Sequence, residues 1–154
     1  MRSTGSRTLF APPLNRRPEP PGKQRVMFLC LGNVCRSQMA EGFARAYGLD
    51  VMDVVSAGLM PGTMVDPVSI RLMAERGIDI SGQFPKEIRL AAHKGLDLVL
   101  NMSGYPAPGM SVPVREWKVR DPHMLAEKIH REVRDEIERL VMALVVELRS
   151  PRRA

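Results

Sequence analysis

The sequence predicts an α/β protein: a single doubly wound, mostly four-stranded parallel sheet with flanking helices. Three observations carry that prediction. Short apolar runs bounded by Gly, Asn, Asp or Pro alternate with segments of helical period, which is the signature of βαβ units. With 154 residues the chain has room for one such domain, since domains usually take about 100–200 residues. A hydrophobic share of 44% with 26% charged residues belongs to a globular chain rather than a disordered one.

Residues 1–22 hold five prolines among scattered Arg, Ser and Gly and show no apolar period, so they are expected to form a disordered extension. A domain over 23–149 and a basic tail over 150–154 complete the expected organisation. Val26 to Cys30 is an apolar run ending before Gly32 and Asn33, which suits a strand buried on both faces. Ser37 to Tyr47 places Met39, Phe43 and Ala46 at helical spacing, with Gly48 after the end. Val51 to Ser56 reads as the second strand and 57–65 as a loop. Asp66-Pro67 supplies an N-cap followed by proline at the first helical position, opening a helix through Arg76. A short helix over Ile88 to His93, a strand over Leu96 to Met102 and a fourth strand over Val112 to Val119 follow. Asp121-Pro122 breaks the pattern, and Met124 to Leu148 is a long helix with Ile129, Val133, Ile137, Leu140, Leu144 and Leu148 on one face.

The net charge of +6 invites a nucleic-acid reading until it is divided by position. Residues 1–25 hold six of the 23 Lys and Arg and one of the 17 acids, so five of the six net charges lie there. Nearly neutral, the body gives no basic docking face, and no nucleic-acid partner is expected. No uncharged apolar run approaches the ~20 residues that span a bilayer, and the start lacks a secretory apolar core. No membrane partner is expected, and the cytoplasm is the default location. Cys30 and Cys35 are the only cysteines and cannot make a disulfide framework.

Ligands of doubly wound sheets bind beyond the carboxyl ends of the strands, which directs attention to Cys30-Leu31-Gly32-Asn33-Val34-Cys35-Arg36-Ser37. Five residues wrapped between a strand and a helix start can aim successive backbone N–H groups at an anion, with the helix dipole adding positive charge. Arg36 can hold two oxygens of a tetrahedral oxyanion through its planar fork. The same field favours a nucleophilic thiolate at Cys30, with Ser37 as hydrogen-bond donor to the sulfur. Gly32 is expected to allow close approach or a positive φ, and Asn33 to shape the loop. For Cys35 two readings stand: loop packing, or a trap that captures oxidised Cys30 as a disulfide.

These residues resemble the phosphate-binding loop of the low-molecular-weight protein tyrosine phosphatase family, which includes the thioredoxin-coupled arsenate reductases. Gln38-Met39-Ala40-Glu41-Gly42 looks like the reductase continuation, and similarity extends through Ser56-Ala57-Gly58, Asp121-Pro122 and Val133 to Ile137. The resemblance implies attack by Cys30, oxyanion binding by Arg36 and the amides of residues 31–37, and proton donation by Asp121. No metal and no organic cofactor is implied. The expected partners are a phosphorylated protein or small phosphate ester, or a thiol or redox protein if arsenate is the substrate.

The chain departs from both branches. Where the thioredoxin-coupled reductases carry two further cysteines, Ser103 and Met110 stand here, and neither can form a disulfide. Where the phosphatases flank the site with aromatics, Leu59 to Val65 has none and His123 follows Pro122. Hydrolysis of phosphate monoesters, protein phosphotyrosine above all, is the leading expectation; arsenate reduction with an external small thiol, or oxyanion or partner binding with weak catalysis, are the alternatives. Trp117 and Tyr105 are the aromatics available for a stacking wall, with core packing the default for Trp117. His93, His123 and His130 show no metal-ligand spacing and are expected at the surface.

Overall fold

The structure is a computed structural model that describes residues 22–92 and 94–150. His93, residues 1–21 of the expected extension and residues 151–154 of the expected tail lie outside the described residues. The elements are β1 (Gln24–Cys30), α1 (Arg36–Tyr47), β2 (Met52–Gly58), α2 (Pro67–Ala74), α3 (Ile88–Ala91), β3 (Leu98–Asn101), β4 (Val114–Glu116) and α4 (Glu127–Arg149).

All strand pairs are parallel, in the order β2-β1-β3-β4. β1 is therefore central, and alternate side chains of its apolar run enter two different cores. Val26, Phe28 and Cys30 pack with Met39 and Phe43 of α1 and with Val133, Ile137 and Val141 of α4. Met27 and Leu29 pack on the opposite face with Ala91 of α3 and with Val99. Two covered faces explain why β1 reads as a continuous apolar run rather than an alternating one. The chain leaves β1 toward β2 on one side and returns to β3 on the other, so the crevice beyond Cys30 is a topological switch point.

Several boundaries differ from the sequence expectation, each for a local reason. α2 stops at Ala74 rather than Arg76 because Gly77 takes φ 72° and the Gly77 and Ile78 N–H groups turn back to Ala74 and Met73 carbonyls. α4 starts at Glu127 rather than Met124, since Met124 sits at φ 64°. β3 and β4 are shorter than expected, β4 keeping three residues after Pro113. On α4, Val141 and Val145 are buried alongside the expected stripe. Among the described residues no helix is long and apolar enough to cross a membrane.

Candidate active site

The loop after β1 is held by its carbonyls. Those of Cys30, Leu31, Gly32 and Val34 accept from the N–H groups of Leu59, Met60, Gly62 and Asp66, and that of Asn33 accepts from Gln38 Nε2 at 2.9 Å. With the carbonyls tied outward, the N–H groups of Leu31, Gly32, Val34, Cys35 and Arg36 are left for an anion in the cleft, while that of Asn33 is directed at Cys30 Sγ. Asn33, rather than Gly32, takes the left-handed conformation, at φ 53°. Its buried amide is fully used. Oδ1 accepts the Lys86 N–H at 3.0 Å, while Nδ2 donates to Ser37 Oγ at 2.7 Å and Ser56 Oγ at 3.0 Å. Because Ser37 Oγ already accepts from Asn33, its own hydrogen is free to be donated to Cys30 Sγ, 2.8 Å away. The Asn33 N–H adds a second hydrogen bond to that sulfur at 3.2 Å.

Glycine is required at Gly58, opposite Cys30 in the β1–β2 register. A Cβ there would lie 2.9 Å from the backbone of Leu31, Gly32 and Asn33. Gly58→Ala is accordingly expected to cost about 1–3 kcal/mol of stability, the usual range for overpacking, and to lower turnover by displacing the loop. A urea titration that finds an unchanged midpoint would contradict this packing.

Arg36 is buried and anchored at one end: Nη1 donates to the carbonyls of Met102 and, at 3.2 Å, of Val119. Nε is buried without a hydrogen-bond partner, and Nη2 lies 3.4 Å from Asp121 Oδ2. The Nε–Nη2 edge is thus the part of the fork available to an oxyanion. Asp121 is about half exposed, and its Oδ1 accepts the His123 N–H at 3.0 Å. Cys30, Arg36 and Asp121 line one cleft of about 730 Å³, whose rim carries the exposed Met60, Met64 and Met124.

Not every expected residue joins this cleft. Trp117 packs on Phe28, ring centroids 5.9 Å apart, and with Tyr105 it lines a separate cleft on the other side of Arg36, so neither walls the Cys30 cleft. Ser103 is buried, its one hydroxyl hydrogen directed at Asn101 Oδ1 at 2.7 Å with the Tyr105 carbonyl also within reach at 3.0 Å, while its oxygen accepts the Tyr105 N–H at 3.1 Å. Met110 is half-buried and packs against the edge of the core on the α3 face.

One expectation is corrected outright. His130 is 2% exposed, not a surface residue, and its Nδ1 is buried without a partner. It lies with Cys35 and Asp66 in a group whose ligand atoms are all within 4.8 Å of one another. The Cys35 thiol donates to Asp66 Oδ2 at 3.2 Å, so this side chain has a polar partner as well as a packing role. Burial pushes the Cys35 thiol well up, with the Asp66 carboxylate and the nearby Cys30 adding to the effect. Burial opposes ionisation of Asp66, yet the Val68 N–H and the Cys35 thiol hold its carboxyl below the ordinary carboxylate range.

Residues 25–108 match the family described as low molecular weight phosphotyrosine protein phosphatase. The chain belongs to that family. A glutaredoxin arsenate reductase from Synechocystis sp. is 35% identical over 133 residues, covering 81% of this chain and 98% of the relative. An arsenate reductase from Halalkalibacterium halodurans is 39% identical over 126 residues, covering 75% and 90%. Among solved structures, an arsenate reductase in the phosphate binding state superposes with a TM-score of 0.73 at 34% identity, over 81% of this chain and 98% of that one. An arginine phosphatase from Geobacillus stearothermophilus reaches a TM-score of 0.70 at 22% identity over 81% and 92%, which bears on the fold alone. The protein is therefore an enzyme of the phosphatase family whose similar relatives include arsenate reductases.

Proposed function

We propose that the protein hydrolyses phosphate monoesters, with protein phosphotyrosine as the substrate class, through a cysteinyl-phosphate intermediate. The observation that carries this reading is the convergence of Cys30, Arg36 and Asp121 on one cleft while a hydrogen-bonded Ser103 stands where a relay thiol would be needed. Cys30 sulfur attacks phosphorus, the loop amides and Arg36 hold the three equatorial oxygens, and Asp121 gives its proton to the leaving oxygen. The same carboxylate then takes a proton from the water that splits the sulfur–phosphorus bond. Hydrolysis needs no further residue. The exposed Met60, Met64 and Met124 suit an aryl group more than a bare inorganic anion.

Arsenate reduction with an external thiol is the second reading, favoured by the names of the relatives. It needs a thiol that takes Cys30 as a mixed disulfide while the arsenic leaves as arsenite with the electron pair, and no third cysteine exists in the chain to supply it. A side-by-side assay of aryl phosphate hydrolysis and arsenate reduction with several thiol donors decides between them. Thiol-independent phosphate release supports hydrolysis; thiol-dependent arsenite production without phosphate release replaces it.

Mild peroxide is expected to inactivate the enzyme reversibly. Peroxide converts the Cys30 sulfur to a sulfenic acid with release of water, and the Cys35 sulfur then attacks it to form a disulfide, the Cys35 proton leaving with the sulfenic hydroxyl as a second water. Peptide mapping should find the two cysteines linked and dithiothreitol should restore activity. Equally complete recovery in Cys35→Ser would return Cys35 to a packing role.

A further inference from the structure

Three loops and helices distant in sequence deliver a sulfur, a carboxylate and an imidazole to one buried point beside the phosphate loop. Cys35 stands at the N-cap of α1, Asp66 caps α2, and His130 lies in the first turn of α4. Their ligand atoms all fall within 4.8 Å of one another. Ordinary packing accounts poorly for His130, whose Nδ1 is buried with no hydrogen-bond partner, because a buried polar atom left unsatisfied loses its hydration without replacement. At the mouth of the cleft His123 Nδ1 lies 3.6 Å from Asp66 Oδ2.

We propose that Cys35, Asp66 and His130, with His123 as the fourth ligand, form a site for a zinc ion. A mixed S, N and O set is the chemistry of Zn²⁺ rather than of the hard cations, which take oxygen alone. Metal–ligand bonds of about 2.0–2.3 Å put tetrahedral ligand atoms roughly 3.3–3.7 Å apart. The Cys35 Sγ to Asp66 Oδ2 separation of 3.2 Å is already near that spacing. From separations of up to 4.8 Å, His130 then has to close by at most about 1.5 Å.

Binding is charge-balanced. The Cys35 proton, now held toward Asp66 Oδ2, leaves to solvent; the thiolate and the carboxylate then carry two negative charges against the two positive charges of the ion, and both histidines donate from neutral rings. No electron is transferred. The ion ties the phosphate loop to α2, to α4 and, through His123, to the segment carrying Asp121. It also occupies the Cys35 sulfur, which removes the partner that oxidised Cys30 requires. The site does not depend on which oxyanion the enzyme turns over, and its test reads metal binding directly.

Reduced, chelator-treated full-length protein is titrated with Zn²⁺ against a chromophoric competitor, and with Co²⁺ as a spectroscopic stand-in. One equivalent of metal and a thiolate-to-cobalt charge-transfer band are expected. Cys35→Ser should abolish the band. Asp66→Asn and His130→Gln should each weaken Zn²⁺ binding by at least the roughly 10–100-fold that loss of even an outer partner costs. Cys30→Ser should leave both stoichiometry and band in place. Absence of a band in the wild-type protein overturns the proposal whatever the variants do. Loss of binding in Cys30→Ser with retention in Cys35→Ser would move the metal to the nucleophile and overturn it equally.

Discussion

Cys30→Ser is expected to abolish turnover, by a factor on the order of 10⁶ as for removal of a hydrolase nucleophile elsewhere, while inorganic phosphate still binds. The sulfur ends β1 and receives hydrogen bonds from Ser37 and from the Asn33 N–H, an arrangement that stabilises an anion at that atom. A serine oxygen in the same place is a weaker nucleophile than sulfur unless an adjacent base activates it. The cradle is anchored elsewhere: the loop carbonyls are held by residues 59–66 and by Gln38, and Arg36 by Met102 and Val119, while a serine Oγ at position 30 can still accept from the Asn33 N–H and Ser37. Retained binding with lost turnover separates nucleophile from cradle. Equilibrium dialysis with phosphate and an aryl phosphate assay on the same preparation measure the two. Substantial hydrolysis by Cys30→Ser would remove that residue from its role. Arg36→Lys complements the test, because an ammonium cannot present the Nε–Nη2 edge; a fall of roughly 10²–10³ is expected, the range for losing one oxyanion donor.

The parts of the site that are local in sequence were legible in it, and the parts assembled across the fold were not. Cys30 to Ser37 is one continuous stretch from strand end to helix start, so the candidate nucleophile and cradle could be named, and the Ser37 contact to the sulfur and the shaping role of Asn33 anticipated, from strand, turn and helix-start signals in order. The parallel sheet followed from the alternation of apolar runs with helical periods. Gly58 was invisible as a constraint, because its crowding arises only when β2 pairs with β1 and brings residue 58 against the backbone of the loop. His130 was missed for a related reason: it was read by spacing to other ligand types along the chain, whereas Cys35 and Asp66 reach it through the packing of α1 and α2 on α4. A signal existed, since 130 precedes Val133 and Ile137 at helical spacing and so falls on the buried face of α4. Lys86 was likewise unmarked, although its N–H orients Asn33 and its ammonium lies 3.3 Å from Ser56 Oγ and 3.8 Å from Glu41.

Asp121→Asn is expected to slow hydrolysis of a phenolic phosphate ester by roughly 10²–10⁴, the usual contribution of a positioned acid or base. In the structure Asp121 Oδ2 faces Arg36 Nη2 at 3.4 Å while the His123 N–H fixes Oδ1 at 3.0 Å. A bound phosphate competes for that same guanidinium edge, so binding releases the carboxyl from the ion pair and leaves it beside the leaving oxygen. Asparagine keeps the size and the Oδ1 acceptor but has no proton to give and cannot take one from water. The loss should therefore depend on the leaving group. An ester whose phenol is strongly acidic departs without protonation, and Asp121→Asn should then fall little in the step that forms the cysteinyl-phosphate. Its breakdown still needs the base, so phosphate release becomes rate-limiting and a burst of phenol equal to the enzyme concentration should precede slow turnover. A burst in Asp121→Asn together with a shrinking deficit for better leaving groups assigns both proton transfers to this carboxyl. An equal loss across phenols of different acidity, with no burst, would leave Asp121 as a partner of Arg36 and nothing more.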